Sequence, residues 1–119
     1  MAILLSFDID GTLEAGNPAG PVTMEMVRRA QALGFIVGSC SDKTLAAQRA
    51  LWERHGIPAG FVSLKHLLED VKVRFPAEAY FHIGDRELDK QFALRAGFGF
   101  WWMHEGAKEP WMEHVPRLG

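Results

Sequence analysis

Short apolar segments alternate with longer segments of helical periodicity along the chain. Residues 3–7 form a mostly apolar run that is too short for a helix and long enough for a buried parallel strand. The run is followed at once by Asp8-Ile9-Asp10-Gly11, where polar residues and a glycine indicate the end of the strand. Comparable runs recur, so the pattern predicts five strands, at residues 3–7, 35–40, 57–62, 80–83 and 98–103.

The segments between these strands carry apolar residues at helical spacing. Thr23 is a suitable N-cap for the first helix, which is predicted to end at Gly34. Ser41-Asp42 is predicted to cap the second helix, which ends at Gly56, and Ser63 is predicted to cap the third. The last helix is predicted to bury Leu88, Phe92, Ala93 and Ala96 and to end at Gly97.

Alternation of strands and helices is typical of an α/β domain with a mainly parallel sheet. Parallel neighbours require crossover connections, which are right-handed and place helices on both faces of the sheet. Five strands therefore predict a three-layer sandwich of the Rossmann-like kind. Sheets of this type bind ligands beyond the carboxyl ends of their strands, so the residues that follow each strand are the candidates for chemistry.

Length and composition narrow the possibilities further. A chain of 119 residues is predicted to form one domain, and 48% hydrophobic with 24% charged residues is typical of a soluble globule. The net charge of −2 argues against a broad nucleic-acid-binding surface and against binding to anionic membranes. The single cysteine, Cys40, excludes an intramolecular disulfide, and neither a signal peptide nor a long apolar span is evident. These features predict a cytoplasmic protein.

Carboxylates, hydroxyls and a lysine follow the predicted strands. They are Asp8 and Asp10, then Ser39 or Ser41, then Lys65, and finally Asp85 and Asp89. Carboxylates that lie within a few ångströms of one another stay ionised only if a cation offsets their charge. Magnesium is the expected cation, because it prefers hard oxygen ligands and can bridge carboxylates to phosphate oxygens.

The segment Asp8-Ile9-Asp10-Gly11-Thr12-Leu13 resembles the opening motif of the haloacid dehalogenase (HAD) superfamily, whose signature after the first strand is D-x-D-G-T-L/V. Later motifs of that family occur in order, as a serine after the second strand, a lysine in Ser63-Leu64-Lys65-His66, and the acidic pair of Gly84-Asp85-Arg86-Glu87-Leu88-Asp89. The resemblance covers residues 3 to about 103, and residues 104–119 are expected to form a C-terminal tail.

The resemblance implies a phosphatase that works through an aspartyl-phosphate. Asp8 would attack phosphorus, and Asp10 would protonate the leaving oxygen and then activate the hydrolytic water. This chemistry requires two carboxylates in unlike environments, one kept anionic and one able to exchange a proton. In the family the second aspartate is used for phosphate chemistry and not for dehalogenation, so Asp10 argues against a haloacid substrate.

The resemblance also implies the groups that bind metal and phosphate. Magnesium would be held by Asp8, by the backbone carbonyl of Asp10, by Asp85 and, more loosely, by Asp89. Ser41 and Lys65 would bind the phosphoryl group and assist catalysis, with Gly11 and Thr12 also expected at the substrate.

Two of these assignments keep alternatives. Ser39 competes with Ser41 for the role of the phosphate-binding hydroxyl, and Ser41 is favoured because it lies at the predicted junction with the helix. Lys72 and Lys43 compete with Lys65, which is favoured because it follows a strand and begins a helix. The five histidines show no metal-ligand spacing and are expected to be surface or structural residues.

The chain leaves no room for the cap that larger members of the family insert. An open site implies either a bulky phosphorylated substrate that excludes water itself or a second subunit that covers the site. The sequence thus predicts a magnesium-dependent phosphomonoesterase. The alternative is a non-catalytic module that binds magnesium, or accepts a phosphoryl group as receiver domains do, without turnover.

Overall fold

The computed structural model describes residues 1–118, which form a parallel five-stranded sheet with helices on both faces. The strands are β1 (Ile3–Phe7), β2 (Ile36–Ser41), β3 (Phe61–Leu64), β4 (Ala79–Gly84) and β5 (Gly99–Trp102). The α-helices are α1 (Met24–Leu33), α2 (Leu45–Arg54), α3 (Leu68–Arg74), α4 (Glu87–Arg95) and α5 (Met103–Gly106), and 3-10 helices span Lys65–Leu67 and Pro110–Arg117. The predicted α/β class and the number of strands are confirmed.

The strands lie in the order β3-β2-β1-β4-β5, and every neighbouring pair is parallel. The chain builds outward from β1 through β2 to β3, and then crosses to the other side of β1 to add β4 and β5. Direction of growth therefore reverses between β1 and β4, and such a reversal leaves a crevice at the carboxyl ends of the two strands.

Two hydrophobic clusters, one on each face of the sheet, hold the layers together. Val27 of α1 and Trp52 of α2 belong to the cluster on one face, while Val71 of α3 and Ala93 of α4 belong to the cluster on the other. All five residues of β1 are buried, as expected for a central strand covered on both faces. The predicted three-layer sandwich is confirmed.

Several element boundaries differ from prediction. The first helix agrees, since the Thr23 side chain accepts a hydrogen bond from the Met26 amide and Gly34 ends the helix with φ of 110°. The second helix begins later, after Thr44, whose hydroxyl accepts from the Ala47 amide. Ser41 is therefore the last residue of β2 and does not cap that helix.

The third strand is shifted toward the carboxyl end and shortened to Phe61–Leu64. Ser63, predicted to cap a helix, lies within this strand and is paired with Cys40 of β2. The preceding segment contains Pro58, which lacks an amide proton for a sheet ladder, and this accounts for the late start of the strand.

The inward face of α4 differs from prediction in one residue. Leu88 is 46% exposed, and the buried residues of this helix are Asp89 and Ala93. Asp89 can lie buried because its carboxylate has buried partners, among them Nε2 of His82.

The segment after β5, expected as a C-terminal tail, packs against the core through Trp111. Trp111 is fully buried, and its ring meets that of Phe7 edge to face, with centroids 5.6 Å apart. Arg117 also forms an ion pair with Glu78 at 3.1 Å. None of the helices among the described residues is long and apolar enough to span a membrane.

Replacing Trp111 by alanine is expected to destabilise the protein by about 3–5 kcal/mol, because it removes a large buried ring and leaves a cavity against β1. Met112→Ala is the matched control, since Met112 is 43% exposed and its loss should cost less than about 0.5 kcal/mol. Urea unfolding of both variants measures the difference. Equal stabilities would show that the C-terminal segment does not contribute to the core.

Candidate active site

The carboxyl ends of the strands bring most of the predicted polar residues to one edge of the sheet. In the register of the sheet, Phe7 of β1 is level with Ser39 of β2 and Ile83 of β4. Asp8 follows directly and stays paired with β4, since its amide donates to the carbonyl of Ile83 at 2.9 Å. Lys65 follows the last residue of β3. Positions distant in sequence thereby converge near the end of β1.

Lys65 lies at the centre of this cluster. Its side chain is 3% exposed, and its Nζ lies 3.3 Å from Oδ1 of Asp8 and 3.0 Å from Oδ1 of Asp89. Asp42, on the surface, lies 3.8 Å from the same Nζ. Burial alone would lower the pKa of Lys65, but the carboxylates of Asp8 and Asp89 outweigh it and raise the pKa above its usual value. Lys65 is therefore a buried ammonium group.

The competing lysines lie elsewhere. Lys72 lies over the ring of Tyr80, with its Nζ 5.4 Å from the ring centroid. Lys43 lies at the rim, where its Nζ is 3.5 Å from Oδ1 of Asp10. Of the three candidate lysines, the structure places only Lys65 against Asp8.

Three carboxylates face one another next to Lys65. Oxygens of Asp8, Asp85 and Asp89 all lie within 4.8 Å of one another. Oδ1 of Asp85 is buried and has no hydrogen-bond partner among residues 1–118. A buried carboxylate oxygen without a partner is costly unless a cation or a donor satisfies it. Since Lys65 offsets only one negative charge, these oxygens fit a divalent ion with hard-oxygen preference, such as magnesium.

The carboxylates of Asp8 and Asp89 differ in their electrostatics. Burial raises the pKa of Asp8 to about 8, with further contributions from the charge of Asp89 and a hydrogen bond with Asp85, and against the opposing effect of Lys65. Burial would also raise the pKa of Asp89, but its hydrogen bond and charge interaction with His82, together with Lys65, hold that pKa below its usual value. The Asp89 carboxylate thus favours its ionised form, whereas burial disfavours the charge on Asp8.

Asp10 lies at the rim, outside the group of three carboxylates. Its side chain is 38% exposed, and its Oδ1 accepts a hydrogen bond from the Asn17 amide at 2.8 Å in addition to facing Lys43. The Asp10 carboxylate thus has a more solvated environment than that of Asp8. Any contact of Asp10 with the expected metal would be made by its backbone carbonyl, as the resemblance implies.

The loop after β1 is built to leave space for Asp85. Gly11 has φ of 76°, and a Cβ at this position would lie 2.0 Å from Oδ2 of Asp85. Its amide donates to the carbonyl of Pro18 at 2.7 Å, and the amide of Thr12 donates to the carbonyl of Ile9 at 3.1 Å. The Thr12 hydroxyl is buried, 3.5 Å from Oδ2 of Asp8. Gly11 and Thr12, expected at the substrate, therefore have their amides engaged within the loop and support the two aspartates.

The two candidate serines differ in the partners of their hydroxyls. The Ser39 hydroxyl donates to Oε1 of Gln48 at 2.6 Å and accepts from Nε1 of Trp52 at 2.9 Å. Its donor and acceptor capacities are therefore both used inside the core. Ser41, at the end of β2, accepts from the Lys43 amide at 3.1 Å. Ser41 is therefore the serine whose position suits a ligand at the carboxyl edge, although it does not cap a helix.

His82 is the buried polar residue of this region that sequence reasoning left without a specific role. It is fully buried on β4, with Nε2 2.9 Å from Oδ1 of Asp89 and Nδ1 2.8 Å from Oγ of Ser6. The sequence does indicate that His82 makes buried hydrogen bonds, because a histidine within a short buried strand requires partners for both ring nitrogens. The sequence does not say which residues those partners are.

A surface cavity of about 510 Å³ lies at the outer edge of β3, between α2 and α3. It is lined by residues such as Trp52, Phe61 and Arg74, and none of the clustered aspartates faces it. The clustered carboxylates therefore lie outside this cavity.

Replacing Asp8 by asparagine is expected to stabilise the metal-free protein at alkaline pH. The raised pKa means that folding favours neutral Asp8, so its stabilising contribution is complete below about pH 4 and is lost as pH rises through about 8. In EDTA, the advantage of Asp8→Asn over wild type should grow by roughly 1–3 kcal/mol between about pH 5 and pH 9. Thermal unfolding of both proteins across this range measures it, and a pH-independent difference would contradict the assignment.

Replacing Gly11 by alanine is expected to destabilise the protein and to displace Asp85. Gly56→Ala is the matched control, because Gly56 has φ of 65° but nothing within 4 Å of a new Cβ. The control should lose about 1–2 kcal/mol from backbone strain alone, and Gly11→Ala should lose more. Gly11→Ala should also bind magnesium more weakly, as measured by the shift of the unfolding temperature with added metal. Equal losses of stability and of magnesium binding in the two variants would contradict the close approach of Gly11 and Asp85.

A scan against models of protein families finds no family that matches, and a search of curated proteins finds no matching sequence.

Proposed function

We propose that this protein is a magnesium-dependent phosphatase of the haloacid dehalogenase type, which hydrolyses a phosphomonoester through an aspartyl-phosphate on Asp8. One observation carries the proposal. A buried lysine ammonium contacts Asp8 and Asp89, beside a third carboxylate that has an orphaned buried oxygen. Such an arrangement suits a site that must gather anionic oxygens and hold one carboxylate ready to react.

The residues expected to hold magnesium are Asp8, Asp85 and the carbonyl of Asp10, with Asp89 nearby. The donor set consists of oxygen atoms, which is what the ion prefers. When bound, magnesium would neutralise charge on the nucleophile and the phosphoryl group and would help to align them. Its charge would also favour the ionised form of Asp8 at neutral pH.

Asp8 is the proposed nucleophile because it is the carboxylate in contact with both Lys65 and the Thr12 hydroxyl. These two groups lie on different oxygens, Lys65 near Oδ1 and Thr12 near Oδ2, and they restrict the orientation of the carboxylate. In the first step an Asp8 oxygen forms a bond to phosphorus while the bond from phosphorus to the leaving oxygen breaks. Lys65 offsets the negative charge gathered at this point.

Asp10 is the proposed general acid and base. Its carboxylate lies exposed at the rim, where it could reach the leaving oxygen and then the hydrolytic water. Deprotonated Asp10 would then accept a proton from the water that attacks phosphorus, releasing phosphate and restoring Asp8. To act in this way, Asp10 must leave its partners Lys43 and Asn17.

Ser41 is the proposed donor to a phosphoryl oxygen. Its hydroxyl oxygen accepts from the Lys43 amide, which leaves the hydroxyl proton to be donated. Lys43 itself lies next to Asp10 at the rim and adds positive charge where an anionic substrate would enter.

A second candidate function is a module that binds magnesium or accepts a phosphoryl group without turnover. The observation that favours it is the double contact of Asp10 Oδ1 with the Asn17 amide and Lys43, which would restrain an acid and base catalyst. The two functions differ in the fate of the phosphoryl group. A phosphatase releases it, whereas the alternative keeps it on Asp8 or never acquires it.

Phosphate release from a panel of phosphomonoesters, with magnesium and with EDTA, tests the proposal. We expect release that requires magnesium and falls by about 10³-fold or more in Asp8→Asn, because the nucleophile is lost. The matched control is Asp70→Asn, which removes a carboxylate from α3 outside the cluster and should retain wild-type activity. Full activity of Asp8→Asn would refute the mechanism.

Replacing Asp10 by asparagine separates the two candidate functions. If Asp10 is the acid and base, Asp10→Asn should lower kcat by about 10²–10⁴-fold while leaving magnesium binding nearly unchanged. Steady-state kinetics with the best substrate of the panel and a magnesium titration measure the two effects. A protein that binds magnesium but releases no phosphate from any substrate would instead support the non-catalytic module.

A further inference from the structure

A chain of buried polar groups lies beneath the candidate site, on the side away from solvent. It begins at Ser6 of β1, continues through His82 of β4 to Asp89 of α4, and ends at Lys65. Ser6, His82 and Asp89 are fully buried, and the side chain of Lys65 is 3% exposed. Four polar side chains without water around them must satisfy one another.

The directions of two hydrogen bonds follow from chemistry. Oδ1 of Asp89 lies 3.0 Å from the Lys65 ammonium, which can only donate, so this oxygen is an acceptor. Nε2 of His82, 2.9 Å from the same oxygen, must then carry the proton and donate it. The Ser6 hydroxyl lies 2.8 Å from Nδ1 of the ring and can donate to it, which satisfies the other nitrogen.

The same contacts fix Asp89 on both of its oxygens. Oδ1 is shared by His82 and Lys65, and Oδ2 accepts from the Arg86 amide at 3.2 Å. The side chain also packs closely against β4, because a Cβ at Gly84 would lie 2.4 Å from Cγ of Asp89. Asp89 therefore has little freedom to rotate, and one of the three contacts that hold it comes from His82.

We propose that His82 is a positioning residue that acts through Asp89: its Nε2 proton holds the Asp89 carboxylate in the orientation that places Lys65 against Asp8 and keeps the three carboxylates together. Ser6 supports this role by orienting the ring. His82 touches neither the expected metal nor a substrate. Carboxylate groups at metal sites depend on such outer partners, whose removal typically weakens metal binding or activity by about 10–100-fold.

Magnesium affinity of the intact chain tests this proposal, which rests on the magnesium site of the proposed function but not on turnover. We expect His82→Leu, which removes the donor and keeps an apolar side chain, to weaken magnesium binding by about 10–100-fold. His82→Gln, which offers an amide donor, should recover most of that loss. The matched control is Tyr80→Phe, two residues earlier on the same strand, which removes hydrogen bonds at the far end of the sheet and should bind magnesium as wild type does.

A double-mutant cycle with Asp89→Asn distinguishes positioning from a general loss of structure. If His82 acts through Asp89, adding His82→Leu to Asp89→Asn should weaken magnesium binding no further. An equal loss in both backgrounds would overturn the proposal, as would a His82→Leu protein with wild-type affinity. If His82→Leu does not fold, Ser6→Ala takes its place and should weaken binding in the same direction, and unchanged affinity would overturn the proposal.

Nitrogen NMR of wild-type protein, recorded without and with magnesium, gives a second readout, and Nε2 of His82 should carry a proton in both states. A ring that carries its only proton on Nδ1 would contradict the proposed direction of donation.

Failure of the proposed function can be told apart from failure of this proposal. If no substrate is turned over but His82→Leu still weakens magnesium binding in a way that depends on Asp89, only the phosphatase function is contradicted. Turnover with unchanged magnesium affinity in His82→Leu would remove only the role of His82.

Discussion

The structure depends on one electrostatic constraint, the gathering of Asp8, Asp85 and Asp89 around the buried ammonium of Lys65. Three carboxylates within 4.8 Å of one another would repel strongly if all were ionised, and one lysine offsets one of the charges. The pKa values of two of these carboxylates shift in opposite directions. His82 and Lys65 stabilise the anionic form of Asp89, whereas burial raises the pKa of Asp8 to about 8. The remaining negative charge could be offset by a metal ion, as the proposed function requires. Folding of the metal-free protein therefore favours neutral Asp8, whereas the proposed chemistry requires its ionised form.

The parallel sheet is what makes this constraint possible. Asp8 follows β1, Lys65 follows β3, and Asp85 and Asp89 both follow β4. In-register pairing of β1 with β4 places Asp8 beside the loop that carries Asp85. Sheets of this kind bind ligands where the strand order reverses, which here is between β1 and β4. Gly11 and Gly84 let two aspartates approach backbone that a side chain would block. Architecture and site are thus consequences of the same connectivity.

Much of this could be predicted from sequence, because apolar runs and helical spacing report burial directly. The five strands, the helix between Thr23 and Gly34 and the convergence of Asp8, Lys65 and Asp85 follow from such local patterns. Boundaries were less predictable where two signals compete: Ser41 and Ser63 look like caps, yet pairing between β2 and β3 keeps both in strands. The hydrogen bond of Asp89 with His82 and the proposed role of His82 were not predictable, since each depends on partners remote in sequence. The partner of Trp111, the ring of Phe7, is likewise remote in sequence and was not predictable.

The central claim is that Asp8 forms a covalent bond to phosphorus, and mass spectrometry of the acid-quenched protein tests it most directly. The protein would be mixed with magnesium and a phosphomonoester that it hydrolyses, or with acetyl phosphate, then quenched in acid within one turnover and digested. We predict one added phosphoryl group on the peptide that contains Asp8, absent in Asp8→Asn and absent when EDTA replaces magnesium. Release of phosphate with no phosphorylated Asp8, or with the phosphoryl group on another residue, would contradict the account.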